Sequence, residues 1–291
     1  MDFNDFKRFK IFKFYFKNFS VENARSLKVG CWQISPINPL FGNPIHDGRP
    51  TILYSHGYYR DRAVPARVKT YQIIADLGYH IIAYDYTGFG DSEGNCRTED
   101  EIVGDGLAVW DYICKLVPNS KKILWGHSLG TGINGAIFKY LHENNLPKPY
   151  KIVNECAFTS IPDVVVQMHW FRLYNLFPTR KLKFKHKVKK YVCELNNIKN
   201  FACCDCPILI MHSNDDIVVN IKLTHFLVNH MRVRQNLKVS FYEFPAKMGY
   251  KHNFLYKSPQ FKFVIKTFLE NEETDNGQVE IEDNDDYDAD E

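Results

Sequence analysis

The 291-residue chain lacks any apolar run approaching the ~20 residues that span a bilayer. Its first twenty residues, MDFNDFKRFKIFKFYFKNFS, also lack the unbroken apolar core of a secretory signal, because basic residues interrupt them every three or four positions. The eight cysteines lack a metal-site pattern. Cys203 and Cys206 form one Cys-x-x-Cys with no second pair or histidines beside it at zinc spacing. They read as free thiols of a reducing compartment, and no metal and no cofactor is implied. Asn18-Phe19-Ser20 matches a glycosylation acceptor, but without a secretory signal the match is idle. There is no recognised RNA or DNA module and no internal repeat, so nucleic acid is not an expected partner. The expected setting is cytoplasmic or peripheral to a membrane, the endoplasmic reticulum included.

Basic residues are nearly absent from one end. From Glu270 to Glu291 there are 12 acidic residues and no Lys or Arg, which leaves residues 1–269 with a net charge of +15 although the whole chain carries +3. The acidic stretch 271–291 reads as a solvated, disordered tail. The basic remainder implies an anionic partner. With 45% hydrophobic residues, the chain can bury one sizeable core, and 21–270 is the length of a single α/β domain.

From residue 27 onward short apolar runs alternate with amphipathic stretches, the pattern of a mostly parallel sheet flanked by helices. Strands are expected at 27–35, 51–54, 79–84, 122–125, 150–154, 207–211 and 237–244. Helices are expected at 61–77, 98–116, 131–144, 223–231 and 257–270. Residues 161–201 break the alternation with an aromatic and then basic segment. They read as a lid inserted between core strands, over the strand ends where ligands bind.

The segment KKILWGHSLGTG, residues 121–132, places Gly126-His127-Ser128-Leu129-Gly130 between a buried strand and a helix. Such a motif arises by chance in roughly one chain in ten of this length, so its strand–turn–helix context carries the weight. A serine hydroxyl acts as a nucleophile when a sharp turn exposes it, and flanking glycines keep the turn free of clashes. The partners should follow as acid and then histidine. After the run PILIM come Asp215 and Asp216; only one can face the site, and Asp216 is favoured. After KVSFYEF comes His252, the expected base, with Asp216 fixing its tautomer. His56 and His127 read as turn residues and His212 as packing. The oxyanion donors are expected to be the backbone N–H groups of Leu129 and of Tyr58, which follows a His-Gly pair after the strand at 51–54.

The stretches LGYHIIAYDYTGFGDSEG (77–94), WGHSLGTGI (125–133), NECAFTS (154–160), HSNDDIVV (212–219) and GYKHNFLYKSP (249–259) resemble the lysophosphatidylserine lipase group of the α/β-hydrolase superfamily, over residues 21–269. The resemblance implies an α/β-hydrolase fold and serine-hydrolase chemistry on lysophospholipids or monoacylglycerols. It sets the triad on Ser128, Asp216 and His252, which supports Asp216 over its neighbour. Tyr58-Tyr59-Arg60 stand where the group has small residues, so the acyl site should have a narrower or differently polar mouth. The group's N-terminal membrane span has no counterpart here.

Two features suit an anionic membrane surface instead. In the arm 1–20, phenylalanines interleave with lysines at near-helical spacing, so the arm either lies on lipid or packs its rings on the core. In 180–190, seven basic residues alternate with Leu182, Phe184, His186 and Val188, either as a solvated surface or as a lipid contact. The leading function is therefore a serine hydrolase cleaving the acyl ester of single-chain lipids. The alternatives are another acyl esterase or thioesterase, such as a protein depalmitoylase, and a non-catalytic interaction protein on the same fold.

Overall fold

The computed structural model describes residues 2–5, 13–36, 43–96, 98–167, 187 and 193–271. Eight strands form one sheet: β1 (Tyr15–Glu22), β2 (Lys28–Ser35), β3 (Thr51–Ser55), β4 (His80–Tyr84), β5 (Lys122–His127), β6 (Lys151–Glu155), β7 (Ile208–Ser213) and β8 (Val239–Phe244). Their order across the sheet is β1-β2-β4-β3-β5-β6-β7-β8. β2 pairs antiparallel with both β1 and β4, and every pairing from β4 to β8 is parallel. The central strands are buried along their whole length. This explains why they read as continuous apolar runs rather than as alternating ones.

Helices cover both faces. α1 (Pro65–Asp76) and α7 (Pro259–Glu270) place Val68, Tyr71, Ile74, Phe261, Ile265 and Phe268 on one face, against Trp32, Ile52, Trp125 and Leu209. α2 (Glu99–Leu116), α3 (Leu129–Glu143) and α6 (Ile221–Asn229) place Trp110, Ile137, Phe138 and Leu227 on the other, against Leu53, Leu124 and Ile152. Two short helices, α4 (Ile161–Gln167) and α5 (Asn197–Asn200), bracket the interval between β6 and β7.

Local chemistry sets the ends of these elements. Thr98 and Glu101 close a capping box at the start of α2, satisfying two helix N–H groups that would otherwise lack partners. Buried Lys151 donates to the carbonyls of Phe268, Leu269 and Asn271 (2.7, 3.3 and 2.5 Å), so a cation closes the C-terminus of α7.

One expectation is corrected here. The part of the arm from Tyr15 is a strand, not a continuing helical face. Phe16 packs edge-on against Trp32 with centroids 5.0 Å apart, Phe19 reaches Tyr112 on the opposite face, and Phe3 is buried against Trp32. Pairing with β2 satisfies the backbone while alternation sends successive rings to opposite faces of the sheet. Phe6, Phe9 and Phe12, most of the lid including the 180–190 run apart from exposed Lys187, and tail residues 272–291 lie outside the described residues. Among the described residues no helix is long and apolar enough to cross a membrane, and all eight cysteines are free thiols.

Candidate active site

β5 delivers Ser128 into a turn at φ 52°, ψ −116°, a conformation that costs an L-residue energy and persists only where neighbours hold it. They do so on both sides. The Ser128 N–H donates to the Glu155 carbonyl of β6 at 2.9 Å, while the Thr131 N–H and hydroxyl both donate to the Ser128 carbonyl at 2.8 Å. The motif glycines are dictated by contact: a Cβ on Gly130 would lie 1.9 Å from the Ser55 carbonyl oxygen, and one on Gly126 would lie 2.6 Å from the Gly130 carbonyl. Only without those side chains can α3 start this close to β3 and β5.

The structure brings the three expected side chains together. His252, in the loop after β8, places Nε2 3.0 Å from Ser128 Oγ and Nδ1 2.6 Å from Asp216 Oδ2. A carboxylate only accepts, so Nδ1 carries the proton and the Nε2 lone pair faces the hydroxyl. Asp216, after β7, is buried, and its Oδ1 accepts the Val218 and Val219 N–H groups at 2.8 and 3.0 Å. Burial alone would raise its pKa, but hydrogen bonds and charge from His212 and His252 outweigh burial and hold the carboxyl well below the usual range. Asp215 faces elsewhere: its Oδ1 accepts from Ser213 Oγ and from the Lys251 N–H, tying the β7 and β8 loops together.

Three residues at the site were not given a functional role from sequence, His212 being read as packing, His127 as a turn residue and Arg67 not singled out. His212 donates from Nε2 to Asp216 Oδ2 at 2.9 Å, and its Nδ1 lies 2.6 Å from Thr224 Oγ1, which in turn bonds the Ala157 carbonyl. The available signal was its place four residues before the acid at a strand end. His127 donates from Nε2 to the His252 carbonyl at 2.9 Å, and burial together with nearby His252 pushes its pKa down to about 3, so the ring stays neutral. The third is Arg67, on α1. Its guanidinium donates to the carbonyls of Gly57 (2.9 Å), Tyr59 (2.6 Å) and Asp61. The Gly57 carbonyl also accepts from His56 Nδ1 at 2.7 Å. That carbonyl shares one planar trans peptide with the Tyr58 N–H, so fixing the oxygen fixes the N–H in the opposite direction. The Leu129 N–H belongs to the first turn of α3 and so has no acceptor within the helix.

Ser128 lies on the wall of a cavity of about 570 Å³, lined chiefly by apolar groups that include Phe89, Leu129, Phe158, Val164, Leu195 and Val219. Tyr58, largely exposed, also lines this cavity, with its ring 6.0 Å from Phe89. Two groups of possible metal ligands occur among the described residues, His127–Cys156–His252 and Cys156–His212–Asp216. Both share Cys156, and each includes a side chain of the Ser128–His252–Asp216 hydrogen-bonded chain; burial pushes the Cys156 thiol up, away from the thiolate a metal needs.

A strained serine, an oriented imidazole and a buried carboxylate in one hydrogen-bonded chain, at the C-terminal edge of this sheet, define an α/β-hydrolase of the serine type. A family model described as "Serine aminopeptidase, S33" matches residues 47–201. Lysophosphatidylserine lipase ABHD12 of Xenopus tropicalis is 30% identical over 269 residues, covering 88% of this chain and 69% of that one. Protein ABHD12B of Homo sapiens is 31% identical over 229 residues, covering 77% and 62%. The chain belongs to this ABHD12 family of α/β-hydrolases. Among solved structures, the esterase Pf2001 of Pyrococcus furiosus superposes with a TM-score of 0.66 at 17% identity over 90% of this chain and 93% of its own. Est1E of Butyrivibrio proteoclasticus, solved with ferulic acid, gives 0.66 at 17% over 86% and 97%. These two carry the likeness of fold.

Proposed function

We propose that this protein is a serine hydrolase that releases the fatty acid from single-chain lipids, lysophospholipids such as lysophosphatidylserine or monoacylglycerols. The observation that carries the reading is the Ser128–His252–Asp216 hydrogen-bonded chain opening onto an apolar cavity of about 570 Å³. Relatives named as lysophosphatidylserine lipases support the head group. Ser128 Oγ attacks the ester carbon and its proton passes to His252 Nε2. The carbonyl oxygen becomes an oxyanion that accepts from the N–H groups of Tyr58 and Leu129. Collapse breaks the ester C–O bond, and the proton on His252 goes to the departing alcohol. Water, deprotonated by the same nitrogen, then attacks the acyl-serine and frees the fatty acid.

Asp216 keeps the proton on Nδ1 and stabilises the imidazolium that forms. His212 holds Asp216, and Arg67 holds the oxyanion loop; both are positioning residues. The nucleophile, the base and the oxyanion donors of these steps are all supplied by the chain's own residues. Lipid substrates imply work at a membrane, and residues 1–20 and 180–190 supply positive charge for peripheral binding to anionic lipid. The test is fatty-acid release from lysophosphatidylserine, a monoacylglycerol and a short soluble ester, with Ser128→Ala in parallel. Preference for a long-chain lipid, with activity falling at least about 10³-fold in the variant, is expected. Activity on the short ester alone would replace the lipid assignment with a small-ester esterase, and equal release by Ser128→Ala would refute the mechanism.

A further inference from the structure

The loops after β3, β7 and β8 carry Tyr58, Asp216 and His252. The same three loops turn apolar side chains outward. Tyr58 is 75% exposed, Tyr59 69%, Ile217 88%, Val218 44% and Met248 48%. The other large apolar side chains exposed to this degree among the described residues lie apart from these loops, Tyr140, Phe226, Val233 and Phe263 on helices and Leu146 in the loop after α3. Scattered exposure is ordinary, whereas five on the three loops that carry the site, two of them lining its cavity, is not.

Charge separates a lipid partner from a merely apolar one. Arg60, Lys247 and Lys251 are exposed on these loops. The acidic residues beside them are turned to internal tasks: Asp61 accepts the Ala63 N–H at 2.9 Å, Asp215 accepts from Ser213 and Lys251, and Asp216 is buried. Outward, these three loops are apolar with a positive excess, since Arg60, Lys247 and Lys251 are exposed while Asp61 and Asp215 are half-buried; the acidic residues exposed nearby, Asp91 and Glu93, belong to the loop after β4. This rim is also continuous with the acyl cavity, because Tyr58 and Val218 line both.

We infer that this rim is a docking surface for an anionic bilayer. Tyr59, Ile217 and Met248 enter the boundary of the acyl region, while Arg60, Lys247 and Lys251 lie among head-group phosphates. The cavity mouth then opens onto lipid, so a single-chain lipid slides from the leaflet to Ser128 without exposing its tail to water. The inference rests on the lipid-substrate reading above and adds to it the face that meets the membrane. That face is formed by the catalytic loops themselves, separately from residues 1–20 and 180–190.

The experiment uses the full chain carrying Ser128→Ala, so that binding is measured without hydrolysis. It is mixed with vesicles of phosphatidylcholine alone or with phosphatidylserine added, and the bound fraction is read by flotation. Binding is expected to be stronger to the phosphatidylserine vesicles. It should fall at least about tenfold on both vesicles when Tyr59→Ser, Ile217→Ser and Met248→Ser are combined. Arg60→Glu with Lys247→Glu should instead abolish the preference for phosphatidylserine. In otherwise unchanged protein, Ile217→Trp should give a blue-shifted emission on vesicle addition, which reports entry into lipid directly. Unaltered binding by the triple variant at an unchanged unfolding temperature, no blue shift from Trp at 217, or no binding by the parent would each overturn the inference. A rim that gave no vesicle binding but captured a protein instead would do the same. Release of acid from a soluble ester tests the hydrolase reading independently, so a failure of docking is not confused with a failure of chemistry.

Discussion

Glu155, at the end of β6, provides a quantitative test of how the sheet supports the nucleophile. Its main-chain carbonyl holds the Ser128 N–H, and its side chain is buried, with one oxygen accepting the Trp125 indole N–H at 2.6 Å. Burial pushes the carboxyl up from 4.5 to about 7, and the indole hydrogen bond offsets only part of that. Between those two values the native protein keeps a proton that the unfolded chain has released. Stability from Glu155 is therefore fully present below pH 4.5 and is lost as pH rises to about 7. The slope is about 1.4 kcal/mol per pH unit, so the loss sums to roughly 3 kcal/mol. Neutral His127 and ionised Asp216 act with the opposite sign, adding stability as pH rises from the acid side, so the wild-type curve alone does not isolate the effect. Glu155→Gln does, because an amide cannot ionise and keeps an oxygen for the indole. Urea melts of both proteins at pH 5, 6, 7 and 8 should show the variant gaining on wild type by most of that ~3 kcal/mol between pH 5 and 7.5, then no further. At about 2 °C per kcal/mol, the unfolding temperatures should separate by roughly 6 °C over the same interval. A difference that stays constant with pH would refute the claim that the native carboxyl is held neutral.

Two further perturbations separate positioning from packing. Arg67→Lys keeps a charge but loses the planar fork whose two terminal nitrogens reach the Asp61 carbonyl on one side and the Gly57 and Tyr59 carbonyls on the other; kcat on a soluble ester should fall about 10- to 100-fold with KM little changed, and an equal fall in 1/KM would mean that the loop serves binding. His212→Ala should lower kcat about tenfold, and His212→Gln, which retains an N–H donor for Asp216, should recover much of it; if both variants behave alike in steady-state kinetics, His212 is only filling space.

The sequence pattern exposed the parallel part of the sheet because both faces of those strands are buried and no polar alternation interrupts them. It misled at β1, where phenylalanines at positions 3, 6, 9, 12, 16 and 19 mimic a helical face. Edge pairing with β2 prevailed there because each residue from 15 to 22 has a partner across the ladder. The start of α1 was placed four residues early. Pro65 lacks an N–H and fits the first helical position, while Arg62 just before it is engaged with Asp85 and Asp91.

At the site, Ser128, Asp216 and His252 were readable because their order follows the strands and their side chains contact one another. Asp215 and Asp216 could not be separated by spacing alone, since both stand in the same turn; the resemblance favoured Asp216, and the distances to His252 and Lys251 show the physical difference between the two. Arg67 and His127 were hidden for a different reason. Their partners are main-chain carbonyls, of Gly57 and of His252, and every residue has one. A side chain that recognises backbone leaves no complementary residue type to find. Arg67 therefore reads as one more polar position on an amphipathic helix until the chain is folded and its guanidinium is seen to fix the peptide that presents the Tyr58 N–H.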